Sequence, residues 1–342
     1  MKPLLLPLIG EARTVTLIGL CKNAGKTTVL RRLMEELSEE CLGLTSVGRD
    51  GERTDVVTGT EKPEIWVARG TLFATARGML PLCDVTLSVE GITDANTPLG
   101  PVGIFRALSD GFVQLAGPSS VAQLAPLAER FRELGAKRIL IDGAASRKSL
   151  AGAEPGACAI LCAGASIEGG IGSIVAETAH ICRLFSAREP DSPGLHRALE
   201  EREERFALLT PEGDVLDLPV NEAGDPLLQE LPRKTCVLWV KGGVTGSLLR
   251  TIAQRGGPMA VAAPDATHFL TDRETSGLFF RSGGELLVRK KIRVAAVASN
   301  PWSAYGRHLA GDELLLALRE ALEIPVVDVW QDRGEWGGGQ RK

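Results

Sequence analysis

The most informative stretch of this chain reads Gly19-Leu20-Cys21-Lys22-Asn23-Ala24-Gly25-Lys26-Thr27-Thr28. It follows an apolar, strand-like run over residues 14–18 and opens a segment whose apolar residues recur at helical spacing. A glycine-rich turn between a strand and a helix can surround phosphate groups with backbone N–H donors, and the positive end of the helix adds to the attraction. The stretch therefore predicts a phosphate-binding loop.

The residue types of this loop indicate a nucleotide with Mg²⁺. Lys26 would reach the β- and γ-phosphates, and the Thr27 hydroxyl would bind the metal. The residues expected to hold the nucleotide are Gly19, Lys22, Asn23, Ala24, Gly25, Lys26, Thr27 and Thr28. The lack of a guanine-reading Asn-Lys-x-Asp motif after a strand favours ATP, although the sequence alone does not decide between ATP and GTP. Five residues separate the two glycines instead of the usual four. The alternative is a tight strand-to-helix turn that contains a lysine by chance.

Three acidic residues are candidates for the magnesium site. Asp50 lies in a glycine-flanked turn after the strand-like run 42–47, while Glu90 and Asp142 each end an apolar run. We predict Asp50 and Glu90 as metal ligands beside Thr27, and Lys26, Glu90 and Asp142 as catalytic groups. Each has an ordinary alternative, since acidic residues are common in turns and at strand ends. The sequence alone does not choose between Glu90 and Asp142.

Strand-like runs alternate with helical or glycine-rich segments along most of the chain, which is typical of an α/β protein. We predict a P-loop NTPase-type, doubly wound and mainly parallel sheet with a second α/β half. The predicted domains are a nucleotide-binding domain over 1–185, a charged linker or small insertion over 186–234, a second α/β domain over 235–333 and a disordered tail over 334–342. The predicted strands are 42–47, 65–67, 85–90, 112–116, 138–141, 158–163, 236–240, 259–263, 294–298 and 325–329, and the predicted helices 26–40, 120–134 and 171–185.

Composition excludes several classes of function. The chain has 342 residues, a net charge of −4 and only 4% aromatic residues, and its basic residues are scattered, which argues against nucleic acid as a partner. No apolar run approaches a membrane span, and no cleavage site follows the leucine-rich residues 1–9, so we expect a cytoplasmic protein without membrane contact. We interpret residues 1–9 as an edge strand or a partner-facing flap. The seven dispersed cysteines fit neither a disulfide framework nor a zinc site.

Several polar turns follow predicted strands and could form one binding face, or could be ordinary loops. They are residues 96–100, 117–120, 164–166 and 241–245. Residues 300–306 (Asn-Pro-Trp-Ser-Ala-Tyr-Gly) concentrate aromatic side chains in a chain that has few. We interpret them as a substrate or partner loop, the alternative being a cap over the last helix.

The phosphate loop resembles that of the dethiobiotin synthetase and cobyrinic-acid amide synthase group, in which five residues also separate the glycines. Val89-Glu90-Gly91, followed by Thr97-Pro98-Leu99, is similar to a Val-Glu-Gly segment of that group. By this resemblance Glu90 would be the magnesium-associated carboxylate.

A longer resemblance, over most of the chain, is to the KamB-type subunit that accompanies lysine 5,6-aminomutase. The segments that carry it are 43–52, Gly70-Thr71-Leu72, Asp142-Gly143-Ala144 and Asn300-Pro301. It implies a reactivase that works with a companion ATPase subunit and uses ATP to eject damaged cobalamin from an adenosylcobalamin-dependent aminomutase. Asp50 would then sense the γ-phosphate. The alternatives are a dethiobiotin-synthetase-like ATP-dependent ligase and a nucleotide-binding scaffold that does not hydrolyse ATP.

Overall fold

A computed structural model describes residues 3–47, 64–118, 120–143, 156–216, 236–255, 259–303, 306 and 308–329. The chain forms two compact units. Unit 1 comprises Met1–Thr178 with Arg293–Lys342, and unit 2 comprises Ala179–Ile292. The predicted disordered tail, 334–342, lies outside the described residues.

The described elements include both α-helices and β-strands. The helices are α1 (Leu6–Ile9), α2 (Lys26–Glu36), α3 (Leu124–Glu133), α4 (Gly170–Phe185), α5 (Pro193–Glu201), α6 (Gly246–Arg255), α7 (Arg273–Arg281) and α8 (Gly311–Ala321). The strands of unit 1 are β1 (Thr14–Gly19), β2 (Leu42–Ser46), β3 (Ile65–Val67), β4 (Leu72–Ala76), β5 (Leu87–Thr97), β6 (Gly100–Ala107), β7 (Gly111–Val113), β8 (Arg138–Gly143), β9 (Cys158–Gly164), β17 (Arg293–Asn300) and β18 (Val326–Asp328). Those of unit 2 are β10 (Phe206–Leu209), β11 (Val215–Leu216), β12 (Cys236–Val240), β13 (Val244–Thr245), β14 (Met259–Ala263), β15 (Phe269–Leu270) and β16 (Glu285–Val288).

A mostly parallel sheet forms the centre of unit 1. Among the described residues its nine strands follow the order β18-β17-β9-β1-β8-β2-β4-β6-β5. The pairs from β18 to β4 are parallel, and only the β4–β6 and β6–β5 pairs are antiparallel. The predicted α/β class and mainly parallel sheet are confirmed. Strand β1 lies inside the sheet, where a buried parallel strand needs apolar residues on both faces.

Helices cover both faces of this sheet. On one face, Leu30 and Leu33 of α2 pack with Leu17 of β1 and Leu140 of β8. On the other, Phe131 of α3 belongs to a second cluster that also holds the two neighbours of Leu140, Ile139 and Ile141. Successive side chains of a strand point to opposite faces, so α2 and α3 lie on opposite sides of the sheet.

The edge of the sheet that contains Glu90 differs from the prediction. The run 85–90 was expected to be a strand that ends at Glu90, whereas β5 continues to Thr97 and forms an antiparallel hairpin with β6. The turn 96–100 closes this hairpin, and β4 and β6 were not predicted. Asn96, Pro98 and Gly100 make this turn look like an ordinary loop in the sequence, but the backbone pairing of β5 with β6 depends on residues on both sides of it.

The chain divides otherwise than predicted. Strands β17 and β18, which were assigned to a second domain over 235–333, lie in the large sheet beside β9. Residues 186–234 were predicted as a linker or insertion, yet α5, β10 and β11 lie there and belong to unit 2. Strands β9 and β17 pair directly although the whole of unit 2 lies between them in the sequence. A local sequence pattern cannot reveal such a pairing.

Unit 2 is a smaller α/β body. Its main sheet has the order β11-β10-β12-β14-β16, in which β12, β14 and β16 are parallel. The indole of Trp239 is fully buried and packs with Leu199 of α5 and Leu287 of β16. Within the described part of the chain, every helix is too short or too polar to span a bilayer.

The N-terminal residues form neither an edge strand nor a flap. Helix α1 occupies this segment, and the side chains of Leu5 and Ile9 are fully buried. The carboxylate of Glu36, near the end of α2, accepts hydrogen bonds from the backbone N–H groups of Leu4, Leu5 and Leu6 at 2.8–2.9 Å. The segment is therefore attached to the helix that follows the predicted phosphate loop.

Candidate functional site

The predicted phosphate loop connects β1 to α2, as the sequence indicated. It starts beside β9, where the N–H of Leu20 donates to the carbonyl of Cys162 at 2.9 Å. Asn23 has a φ of 59° and Gly25 a φ of 94°. Asn23 is the one non-glycine residue with positive φ among those described, and such backbone is tolerated best by Asn, Asp and Gly. The loop thus uses unusual backbone at two of its residues.

The start of α2 faces the loop without a side-chain cap. Its N-cap residue is Gly25, which has no side chain that could accept from the first turn. The first N–H groups of a helix have no partners inside the helix, and they carry the positive end of its dipole. This arrangement favours an anion at the loop.

Lys26 bends back over the first glycine of the loop. A Cβ atom on Gly19 would lie 3.1 Å from the Nζ of Lys26 and 3.1 Å from the carbonyl oxygen of Cys21. A side chain at position 19 would fill the space over which the ammonium now lies. Glycine at this position therefore leaves room for the Lys26 ammonium inside the loop.

Asp142 lies in β8, which pairs with β1, and it is in register with Leu17. It shares its face of the sheet with Leu140, two residues earlier, and that face is covered by α2. Burial raises the pKa of the Asp142 carboxyl, and the nearby Lys26 ammonium opposes the rise. Its Oδ1 is buried and has no hydrogen-bond partner among the described residues. A buried carboxylate oxygen without a partner is costly and is a group that a metal ion or bound water could satisfy.

Asn300, at the end of β17, contacts the phosphate loop. Its Nδ2 donates to the carbonyl of Asn23 at 3.3 Å, and a Cβ atom on Gly25 would lie 3.1 Å from its side chain. Sequence analysis placed this residue in a substrate or partner loop and did not connect it with the nucleotide loop. Asparagine after an apolar strand was the only local signal, and a sequence separation of 277 positions concealed the contact.

Gly164, at the end of β9, also contacts the loop, and it is paired with Asn300 in the sheet. A Cβ atom there would lie 3.0 Å from the Cα of Ala24. The sequence identified the turn 164–166 as one of several polar turns, without assigning it to the phosphate loop. Ala24 itself is fully buried, so the loop lies directly against this strand end.

The structure brings some predicted site residues together and keeps others apart. Gly19, Lys22, Asn23, Ala24, Gly25, Lys26, Thr27 and Thr28 form the loop and the first turn of α2, with Asp142 beside them. The turn 241–245 belongs to unit 2. Asp50 lies outside the described residues.

Glu90 is not brought to the loop. It lies in β5, and β8, β2, β4 and β6 separate that strand from β1, so the two strands are about 24 Å apart at the usual strand spacing. Its carboxylate accepts from the hydroxyl of Ser88 at 2.9 Å and from the Nε of Arg106 at 3.0 Å. These hydrogen bonds and the charge of Arg106 lower the pKa of Glu90. The strand order therefore keeps Glu90 away from the loop, and its carboxylate forms an ion pair with Arg106. Its role as a metal ligand and catalytic group stays a prediction.

The two cysteines nearest the loop are thiols at neutral pH. Burial raises the pKa of Cys21, an effect that Lys26 partly opposes, and burial raises the pKa of Cys162 to about 12. Neither group is a ready nucleophile, because the thiolate is the reactive form. Within the described ranges, no group of three His, Cys, Asp or Glu side chains could hold a metal ion.

Comparison of the chain with protein-family models, curated protein sequences and solved structures finds no match. The interpretation of the loop consequently depends on its own geometry.

Proposed function

We propose that this chain is an ATP-binding protein with the fold of a P-loop NTPase, and that Mg²⁺–ATP binds at the loop between β1 and α2. One observation carries the proposal: the Lys26 ammonium and the partnerless Oδ1 of Asp142 lie at the same strand-to-helix loop, on the α2 side of the sheet. A cation for the phosphates and an oxygen for the metal are the two groups that a magnesium nucleotide requires.

The residues present fit such a ligand. Lys26 and the N–H groups at the start of α2 would hold the phosphates, while Thr27 and Asp142 would hold the Mg²⁺ shell. The bound nucleotide supplies a phosphoryl group whose transfer to water releases free energy. Asn300 and Gly164, which are paired at the ends of β17 and β9, both contact the loop and help to keep it in position. Lys26 also stabilises the charge of Asp142 before any ligand arrives.

In the cell, we propose, the chain is the reactivase subunit that helps to release damaged cobalamin from an adenosylcobalamin-dependent lysine- or ornithine-type aminomutase. The support is the resemblance through 43–52, Gly70-Thr71-Leu72, Asp142-Gly143-Ala144 and Asn300-Pro301. Binding of ATP and loss of its γ-phosphate would favour different conformations, and such a difference can release a trapped cofactor. A companion ATPase subunit and the aminomutase are the proposed partners.

One observation weakens the ligase alternative. The resemblance to dethiobiotin synthetase assigns the magnesium carboxylate to Glu90, which lies about 24 Å away in β5 and is paired with Arg106. The non-hydrolysing scaffold differs from the reactivase only in turnover, so hydrolysis is the measurement that separates them.

The first experiment measures Mg²⁺-dependent ATP hydrolysis by the purified protein, alone and with its proposed partners. The partners are the companion subunit and an aminomutase loaded with an inactive cobalamin. We expect turnover that requires Lys26, and release of the inactive cofactor in the complete mixture. Lys26→Ala should abolish both, whereas Lys137→Ala, which removes an exposed lysine before β8, should change neither.

Each failure has a distinct meaning. ATP binding without turnover under any condition would favour the scaffold. Turnover that ignores the aminomutase, with no cobalamin released even when the companion subunit is present, would exclude the reactivase role. No binding of ATP at all would overturn the nucleotide site itself.

A further inference from the structure

The segment that follows Asn300 is fixed to the phosphate loop and carries an exposed tryptophan. The Asn300 side chain donates from Nδ2 to the carbonyls of Asn23, at 3.3 Å, and of Trp302, at 3.2 Å, and its Oδ1 accepts from the N–H of Trp302 at 3.2 Å. One buried amide thus joins the loop to the backbone of Trp302. Two residues of chain span at most about 7 Å, so Trp302 starts close to the loop.

The neighbours of Trp302 are buried, but its indole is not. Pro301 and Ser303 are buried on either side, and the N–H of Leu309 donates to the carbonyl of Pro301 at 3.0 Å, which closes the segment. The Trp302 side chain remains 50% exposed. Its ring contacts that of His308, with 4.3 Å between ring centroids and an angle of 58° between the planes. The residue is therefore fixed through its backbone and its ring contacts His308, while half of its side chain faces solvent.

We propose that the indole of Trp302 is the stacking surface for the base of the nucleotide whose phosphates lie in the loop, an inference that rests on the proposed nucleotide site. The base of such a nucleotide lies one ribose away from the phosphates, and Trp302 is the exposed aromatic residue that the structure connects directly to the loop. Of the other described tryptophans, Trp239 is fully buried and belongs to unit 2, and Trp66 lies in β3. Aromatic stacking accepts any base, since every base has a π-face.

Calorimetric titration with ATP, GTP and inorganic tripolyphosphate tests this assignment, because tripolyphosphate has the phosphates without a base. We expect Trp302→Ala to weaken binding of ATP and GTP by similar factors, about 5- to 150-fold. Binding of tripolyphosphate should stay within twofold of the wild type. Trp302→Phe keeps an aromatic face and should restore most of the loss. Trp66→Ala is the matched control, since its indole is 48% exposed, and it should change none of the three affinities.

The outcomes separate this inference from the proposed function. Unchanged ATP affinity in Trp302→Ala, in a protein that binds both ATP and tripolyphosphate, overturns the stacking role and leaves the phosphate site intact. Equal losses for ATP and tripolyphosphate also overturn it, because they indicate a displaced loop. A wild-type protein that binds neither ligand overturns the proposed function and this inference together. A loss confined to nucleotides supports the assignment.

Discussion

Two buried carboxylates in unit 1 have opposite surroundings. The Glu36 carboxylate accepts from three backbone N–H groups and from the Nε of Arg32, at 2.6 Å, and its side chain is 2% exposed. The Asp142 carboxylate has a buried Oδ1 for which the described residues provide no donor. Both lie on the α2 side of the sheet, Glu36 near the end of the helix and Asp142 beside the loop at its start.

Since both carboxylates are buried, the difference between them lies in their hydrogen bonds. A buried charge is tolerated where hydrogen bonds replace its hydration, and Glu36 has them, so its role is to attach α1 to α2. Asp142 has a carboxylate oxygen without a hydrogen-bond partner next to Lys26. Such an oxygen destabilises the folded protein, so a purely structural role does not explain it. A ligand that completes its coordination would explain it.

The largest expected effect is on stability, from Glu36→Ala. The substitution removes an ion-pair partner of the buried Arg32 guanidinium and the carboxylate that accepts from the backbone N–H groups of Leu4, Leu5 and Leu6. We expect a loss of about 3–5 kcal/mol in the free energy of unfolding, measured by denaturant titration. Glu133→Ala is the control, because Glu133 pairs with Arg130 on the surface and should cost less than about 1 kcal/mol. Similar losses in the two variants would contradict the structural role of Glu36.

Asp142→Asn should weaken nucleotide binding without reducing stability, the opposite of what is expected for Glu36→Ala. We expect Mg²⁺-dependent nucleotide binding or turnover to fall by about 10- to 100-fold, as is usual when a group that supports a metal site is removed. The unfolding free energy should rise or stay constant, because the amide carries no charge into a buried position. Isothermal titration with Mg²⁺–ATP and thermal unfolding measure the two quantities. A marked loss of stability would show that Asp142 is structural like Glu36.

The pH dependence of stability tests whether the Asp142 carboxyl has the raised pKa that its burial implies. Burial raises the pKa of Asp142 above its ordinary value of 3.8, so the folded state keeps a proton that the unfolded state has lost. Stability from this group should therefore decrease as the pH rises from about 3.8 through the raised pKa. The difference between wild type and Asp142→Asn, followed by denaturant titration across that window, should grow with pH in favour of the variant. A difference that does not change with pH would show that Asp142 keeps its ordinary pKa.

A smaller effect is expected from Gly164→Ala. Its methyl group would meet the Cα of buried Ala24 at 3.0 Å, so the phosphate loop must move. We expect nucleotide affinity to fall about tenfold and stability by about 1–3 kcal/mol. Gly172→Ala, in α4, has open space around its added methyl group and should leave affinity unchanged while adding up to about 1 kcal/mol of stability. Unchanged affinity in Gly164→Ala would mean that the loop does not depend on this contact.

The smallest effect is expected from Glu90→Gln, which tests the topology directly. Four strands separate Glu90 from β1, and its carboxylate forms a partly buried ion pair with Arg106, so nucleotide affinity should change less than twofold. Stability should fall by less than about 1 kcal/mol. A loss of Mg²⁺-dependent binding as large as that of Asp142→Asn would mean that Glu90 reaches the site after all.

The elements that were predicted correctly are defined by local sequence patterns. Those that were predicted wrongly depend on pairing between segments that are distant in the sequence. The strands 65–67 and 236–240 have the bounds that were predicted, and the turn from β1 into α2 occurs at the predicted loop. The antiparallel hairpin of β5 with β6 was missed, because the pattern of an exposed edge strand is weak and its glycine-rich turn looks like a loop. The position of Glu90 was mispredicted for the same reason. The sequence pattern of an acidic residue after an apolar run is the same whether the strand lies at the centre or at the edge of a sheet.

The sequence by itself determined the glycine-rich loop between β1 and α2, the α/β class and the candidate acids. These follow from spacing along the chain, since a glycine-rich turn and an amphipathic helix are defined within about 20 residues. Only the tertiary structure decided that Asp142 and not Glu90 lies beside Lys26, that β17 returns to the first sheet, and that Asn300 holds the loop. Those relations arise from the order of strands in a sheet, which long-range packing selects and which no local pattern of residues encodes.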